Sequence, residues 1–152
     1  MEKVNSYLGI AENDYLFAKY GMDLCREIGN FNSVTAGCAQ AAEKYLKAVI
    51  DIAFPEDEDA VRLLKTHNLR SILNKIKEKY YTELSSKDCK WLGDFYFDAR
   101  YPGDNFILST EEDALEAIRI VDEIKEEVLK IMASERSRRS GEKEKLNEMK
   151  AF

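Results

Sequence analysis

The sequence predicts an all-α fold, an antiparallel up-and-down bundle of four to five helices, and three observations carry that reading. Apolar residues recur at three- and four-residue spacing through most of the chain. Helix-starting Ser, Thr and Asn stand ahead of the periodic stretches, and the only two prolines, Pro55 and Pro102, fall between them. With 152 residues, 45% apolar and 34% charged, the chain is long enough for one domain with a sizeable core and too apolar for a disordered one.

In the first helix Val4, Leu8, Ala11, Tyr15, Ala18, Met22 and Cys25 form one buried stripe, which Gly29 and Asn30 end. The second begins near Phe31 with Asn32 or Ser33 as its cap. It turns Val34, Cys38, Ala41, Ala42, Tyr45, Leu46 and Val49 inward and Gln40, Glu43, Lys44 and Lys47 to a polar, solvated face. Pro55 and the acids Glu56 to Asp59 read as a solvated connector with room for a helical turn around Ala60–Leu64. Thr66 caps a third helix through Leu69, Ile72, Leu73, Ile76 and Tyr80. Ser85 with Asp88 opens a fourth through Trp91, Leu92, Phe95, Tyr96 and Ala99. Pro102-Gly103 stops it, so Arg100–Leu108 is expected as an ordered loop. Thr110 and three following acids start the longest helix, whose stripe runs from Ala114 to Ile131. The domain is therefore placed at residues 1–133, and residues 134–152 are expected as a charged tail, frayed helix or disordered.

The net charge is −6. The tail carries six Lys/Arg against four Glu, a net +2, which leaves −8 on residues 1–133. An acidic body weighs against sequence-independent nucleic-acid binding, which phosphate neutralisation drives, and no DNA partner is expected. Cys25, Cys38 and Cys89 have neither C-x-x-C spacing nor a neighbouring His, so they read as reduced, buried thiols rather than metal ligands or a disulfide framework. No cofactor or metal is expected. The N-terminal stretch lacks an apolar targeting core and no segment approaches a membrane span, so a cytoplasmic location without membrane contact is expected.

The run Cys38–Ala48 (CAQAAEKYLKA), then Thr66-His67-Asn68-Leu69, then Ala99-Arg100-Tyr101-Pro102, then Ser109–Ala114 (STEEDA), resembles the HEPN domain family in order and spacing over roughly residues 4–131. The resemblance implies a helical bundle that pairs through a two-fold interface. It also implies an accessory role beside a minimal nucleotidyltransferase, in toxin–antitoxin-like systems of prokaryotes. Some members bind nucleotides. Others are metal-independent ribonucleases, in which an Arg followed four to six residues later by His is the catalytic motif. Here Arg100 is followed by Tyr-Pro-Gly-Asp-Asn-Phe, and the one histidine of the chain, His67, stands elsewhere. That departure weighs against an enzyme, because RNA cleavage without a metal needs a proton-transferring group beside the cation.

The candidate ligand- or nucleotide-binding residues are Arg100, Tyr101, His67, Lys44 and Lys47; no catalytic residue is assigned. Arg100 offers a planar donor fork for phosphate or carboxylate, although a cation at a helix end also serves the helix dipole. Tyr101 has a ring for stacking a base or packing a loop, and His67 lies at the start of the third helix, free to face solvent or ligand. Lys44 and Lys47 enter through the family resemblance; by residue type alone they are a solvated face. Three functions stay open: a homodimeric module that binds a nucleotide, an RNA segment or a nucleotidyltransferase partner; a divergent ribonuclease; and a purely structural helical adaptor.

Overall fold

The computed structural model describes residues 3–151. The described chain is all-α: α1 (Tyr7–Tyr20), α2 (Met22–Ile28), α3 (Asn32–Ala53), α4 (Glu58–Leu63), α5 (Leu69–Lys77), α6 (Ser86–Asp98) and α7 (Glu111–Lys150). Helix α3 is the axis of the bundle, and α1, α4, α5, α6 and α7 all pack on it. Sixteen of its 22 residues are buried, the pattern of a central helix that leaves only a narrow stripe through Ser33, Gly37, Gln40, Lys44 and Asp51 toward solvent. Its alanines (Ala36, Ala39, Ala41, Ala42 and Ala48) let neighbours approach closely, while Tyr45, Leu46, Val49 and Ile50 fill the space between them. The Tyr45 hydroxyl, enclosed with its ring, donates to Glu12 Oε1 at 2.7 Å, tying α3 to α1.

The first predicted helix is two. Val4 is solvent-exposed ahead of α1, and Ser6 caps α1 by accepting from Gly9 N–H. The break falls at Gly21, where an added Cβ would sit 2.9 Å from Phe17 O and 3.5 Å from Val34 Cγ2, too close to the carbonyl for a larger residue to fit without a shift of the backbone. Gly29 ends α2 in the left-handed conformation, φ 76°, as the stop signal predicts.

Two caps also differ from the sequence reading. Asn68, not Thr66, caps α5 by accepting from Ser71 N–H, and Thr66 Oγ1 supports it by accepting from Asn68 N–H. Phe31 occupies the cap position of α3 without a side-chain bond, because Asn32 is turned inward for another purpose. Ser85 caps α6, and Thr110 and Asp113 form a reciprocal capping box on α7. The acidic connector is partly structural: Asp57 caps α4 and pairs with Lys75 at 2.9 Å.

Helix α7 does not fray at residue 133. It continues to Lys150, about 60 Å in all at 1.5 Å per residue. Glu135 anchors it: the carboxylate is buried, accepts from the Tyr80 hydroxyl, from Arg138 Nη2 at 2.6 Å and from Arg139 Nε at 3.3 Å, while Arg139 also donates to the Ile52 carbonyl. A further i,i+4 pair, Arg138–Glu142, carries the helix outward. Phe152 lies outside the described residues.

Two stability predictions follow from this packing. Leu46→Ala, at a fully enclosed position, is expected to cost about 2–5 kcal/mol by leaving a cavity on the bundle axis, read by urea denaturation. The hydrogen bond from Arg138 outweighs desolvation and, with that from Tyr80, holds the Glu135 carboxyl down at about 2, below its ordinary 4.5. A depressed carboxyl contributes stability that is complete above the ordinary value and is lost as pH falls toward the folded one. Thermal melts should therefore show the wild type losing stability between about pH 4.5 and about pH 2, with a flatter slope in that window for Glu135→Gln.

Candidate functional site

The predicted polar face of α3 is solvated only in part, at Gln40 and Lys44. Glu43 is fully buried, enclosed by α3 itself and the segment leading into α5. Its Oε2 accepts from Lys44 Nζ and from Lys47 Nζ at 3.2 Å, and its Oε1 meets His67 Nδ1 at 2.6 Å. Burial pushes the Glu43 carboxyl up, but the hydrogen bonds from Lys44 and His67 and the charge of Lys47 more than offset it, so the group stays ionised below its usual range. An ionised carboxylate only accepts, so the imidazole proton is assigned to Nδ1 and Nε2 is the side left open. The sequence placed Glu43 on a solvent-facing stripe because its neighbours Gln40, Lys44 and Lys47 are polar. Glu43 and Lys47 are instead covered, and the charges of the stripe pair among themselves.

The five candidate residues separate accordingly. Lys47 is 3% exposed and lies behind Glu43, where burial lowers its readiness to carry charge and the carboxylate partly restores it. It is a charge partner inside the bundle rather than an accessible cation. Lys44 is half-buried with its ammonium on Glu43. His67, Arg100 and Tyr101 reach the surface.

Tyr96 on α6 joins them. The His67 ring stacks on Tyr96 with centroids 4.2 Å apart and planes 17° from parallel, and the Arg100 guanidinium lies 6.0 Å from the centroid of the same ring. Phe97 meets His67 edge-on at 5.9 Å and Tyr101 at 6.0 Å, so an aromatic shelf runs from the imidazole toward the Arg100 loop. Asp14 on α1 completes the surroundings: burial raises its carboxyl above the ordinary range while the charges of Lys44 and Arg100 pull it back. A cleft of about 440 Å³ opens beside His67, lined also by Lys65, Asn68, Lys90 and Phe97. A second, of about 370 Å³, opens beside Arg100 along Ser33, Gly37 and Gln40.

The loop that carries Arg100 and Tyr101 is held by Asn32. Its Nδ2 donates to Ala99 O at 3.0 Å and Ile107 O at 2.9 Å, and its Oδ1 accepts from Ser109 N–H at 2.7 Å. Thr35 adds a hydroxyl bond to Ser109 at 2.7 Å, and Ile107 N–H closes the loop on Asp98 O at 2.7 Å. One buried amide thus satisfies three backbone groups of the loop from the first turn of α3. Neither Asn32 nor Tyr96 stands out as a site residue in the sequence: Asn32 reads as a cap and Tyr96 as core plus a dimer surface. The available signal was Asn32 followed by Thr35 opposite Ser109, three short polar residues at buried ends of periodic stretches.

Among the described residues no group of three or more His, Cys, Asp or Glu side chains is placed to hold a metal ion, and no helix is long and apolar enough to cross a membrane. Removing the buried carboxylate strands its cations. Glu43→Ala is expected to cost about 3–5 kcal/mol in chemical denaturation, and adding Lys47→Met to it should recover part of that loss.

Comparison with known proteins agrees with this architecture. A sequence model of the HEPN domain matches residues 4–132, nearly the whole of the packed bundle. No curated protein and no solved structure matches the chain. With 129 of the 152 residues inside the matched span and the QAAEK, THNL and ARYP segments converging on one face, the chain belongs to the HEPN domain family.

Proposed function

We propose that this HEPN domain is a binding module for a nucleotide or other phosphate-bearing ligand, acting as a homodimer beside a nucleotidyltransferase partner. The observation that supports the ligand is the grouping of Arg100 and His67 around one tyrosine ring at the surface. A guanidinium fork recognises two phosphate oxygens at once, and exposed aromatic faces at Tyr101 and Phe97 suit a nucleobase. Lys44 serves the site indirectly, by balancing the Glu43 carboxylate that orients His67.

The second copy is proposed to sit against α1 and α2, where Phe17, Tyr20, Leu24 and Ile28 are exposed on neighbouring turns with Phe106 of the loop close by. An apolar surface of this kind on a small domain favours association. The position of Phe106 brings the partner next to the Arg100 loop, so pairing and ligand binding would share a border.

Calorimetry with a panel of nucleoside triphosphates in EDTA tests the reading. At least one is expected to bind, with Arg100→Ala weakening it by about tenfold or more while the melting temperature is unchanged. Light scattering should give a dimer that Leu24→Asp dissociates. A silent panel with a monomeric wild type would leave a structural adaptor as the correct reading.

A further inference from the structure

Helix α7 outruns the bundle. The span shared with the family ends at residue 132, and from residue 136 to residue 150 every position of the helix except Gly141 is solvent-exposed. A Cβ added at Gly141 would meet nothing within 4 Å. An uncovered helical stretch of about fifteen residues with a glycine inside it is only marginally stable in water, so packing against a second surface would stabilise it. Its faces differ. Leu146 and Met149, 50% and 75% exposed, lie one turn apart on one face, with Lys145 and Lys150 flanking them and Glu144 and Glu148 on the opposite side. Glu142, one turn earlier, is paired with Arg138.

The bundle carries a groove of matching character. It encloses about 550 Å³ between α1, α2 and the Arg100 loop, and its walls are the exposed side chains of Phe17, Leu24, Ile28 and Phe106. Gly21 and Gly37 in its floor let another backbone approach closely. Asp14 is the one charged residue that lines it, half-buried and without a hydrogen-bond or ion-pair partner among the described residues. A groove with a carboxylate and no cation fits an apolar pair flanked by lysines. The same imbalance holds for the whole chain, with −8 on residues 1–133 against +2 on residues 134–152. A chain cannot fill its own groove. Helix α7 runs in the direction of α3, from Ser109 beside Asn32 and Thr35 to Arg139 beside Ile52. The extension therefore points away from the end of α3 where Asn32 and Gly37 border the groove.

We propose that each α7 extension seats Leu146 and Met149 in the α1–α2 groove of a second copy, so that two chains are held together by exchanged helices. The inference rests on the homodimer reading above and names the segment that covers its apolar face. Two-fold symmetry makes the exchange reciprocal, and with the two α3 helices antiparallel each extension is directed toward the partner's groove. The reach from Glu135 to Met149 is about 21 Å at 1.5 Å per residue, about two helix diameters, enough to pass the edge of one bundle and lie along the next. A flanking lysine then meets the Asp14 carboxylate.

The test uses the full chain. Leu146→Glu keeps a good helix former at an exposed position and sets a second carboxylate against Asp14, so sedimentation should show self-association weakened about tenfold or more with an unchanged helical signal. Copies carrying Leu24→Cys and copies carrying Met149→Cys, mixed and treated with a short bis-maleimide, should join into a dimer that neither forms alone; the native thiols are all buried. A dimer that Leu146→Glu leaves intact, or one in which Leu24→Cys copies join to each other, overturns the exchange and leaves the homodimer reading standing. A wild type that stays monomeric overturns both.

Discussion

A carboxylate without water around it must find cations or give up its charge, and Glu43 sits at the middle of the helix on which nearly every other element packs. Its two oxygens draw Lys44 and Lys47 from its own helix and His67 from the segment before α5. Those bonds do more than neutralise a charge. They fix where α5 begins relative to α3 and which way the imidazole faces, so packing and site geometry come from one interaction. A buried ion pair of this kind is a weak source of net stability compared with apolar packing, but it selects a single arrangement of the groups around it.

The device is repeated near the C-terminal end of α3. Glu135 on α7 gathers Tyr80 from beyond α5 and Arg138 and Arg139 from its own next turn, and Arg139 reaches on to the end of α3 at Ile52. Between these two polar anchors the core is ordinary apolar packing of Leu46, Val49, Ile50, Ile72, Leu73, Leu92, Val121 and Ile124. Apolar contacts supply the cohesion, and the two carboxylates set register and direction. Asn32 extends the same logic to a loop, since a single amide holds three backbone groups and so positions Arg100 without any regular structure around it.

The surface chemistry depends on that framework. Arg100 on a free loop would be one more solvated cation. Held by Asn32 and laid beside Tyr96, it shares a shelf with a histidine whose open nitrogen is determined by a carboxylate two elements away. The imidazole comes to Tyr96 from the segment before α5 and the guanidinium from the loop after α6, so two distant segments meet at one aromatic ring.

The sequence by itself determined the fold class, because helical periodicity is a local property: stripes of three- and four-residue spacing, the stops at Gly29 and Pro102 and the caps at Ser85 and Thr110 require no partner to be read. It also singled out Arg100, Tyr101 and His67, through residue type and motif spacing. Only the tertiary structure decided the burial of Glu43 and Lys47, the break at Gly21, the inward turn of Asn32 and the continuation of α7 past residue 133. Each of these depends on what lies opposite in space. A polar residue on a helix looks solvated until another element covers it, and a glycine looks like any helix residue until a carbonyl 2.9 Å from its missing Cβ leaves no room for a side chain without a backbone shift.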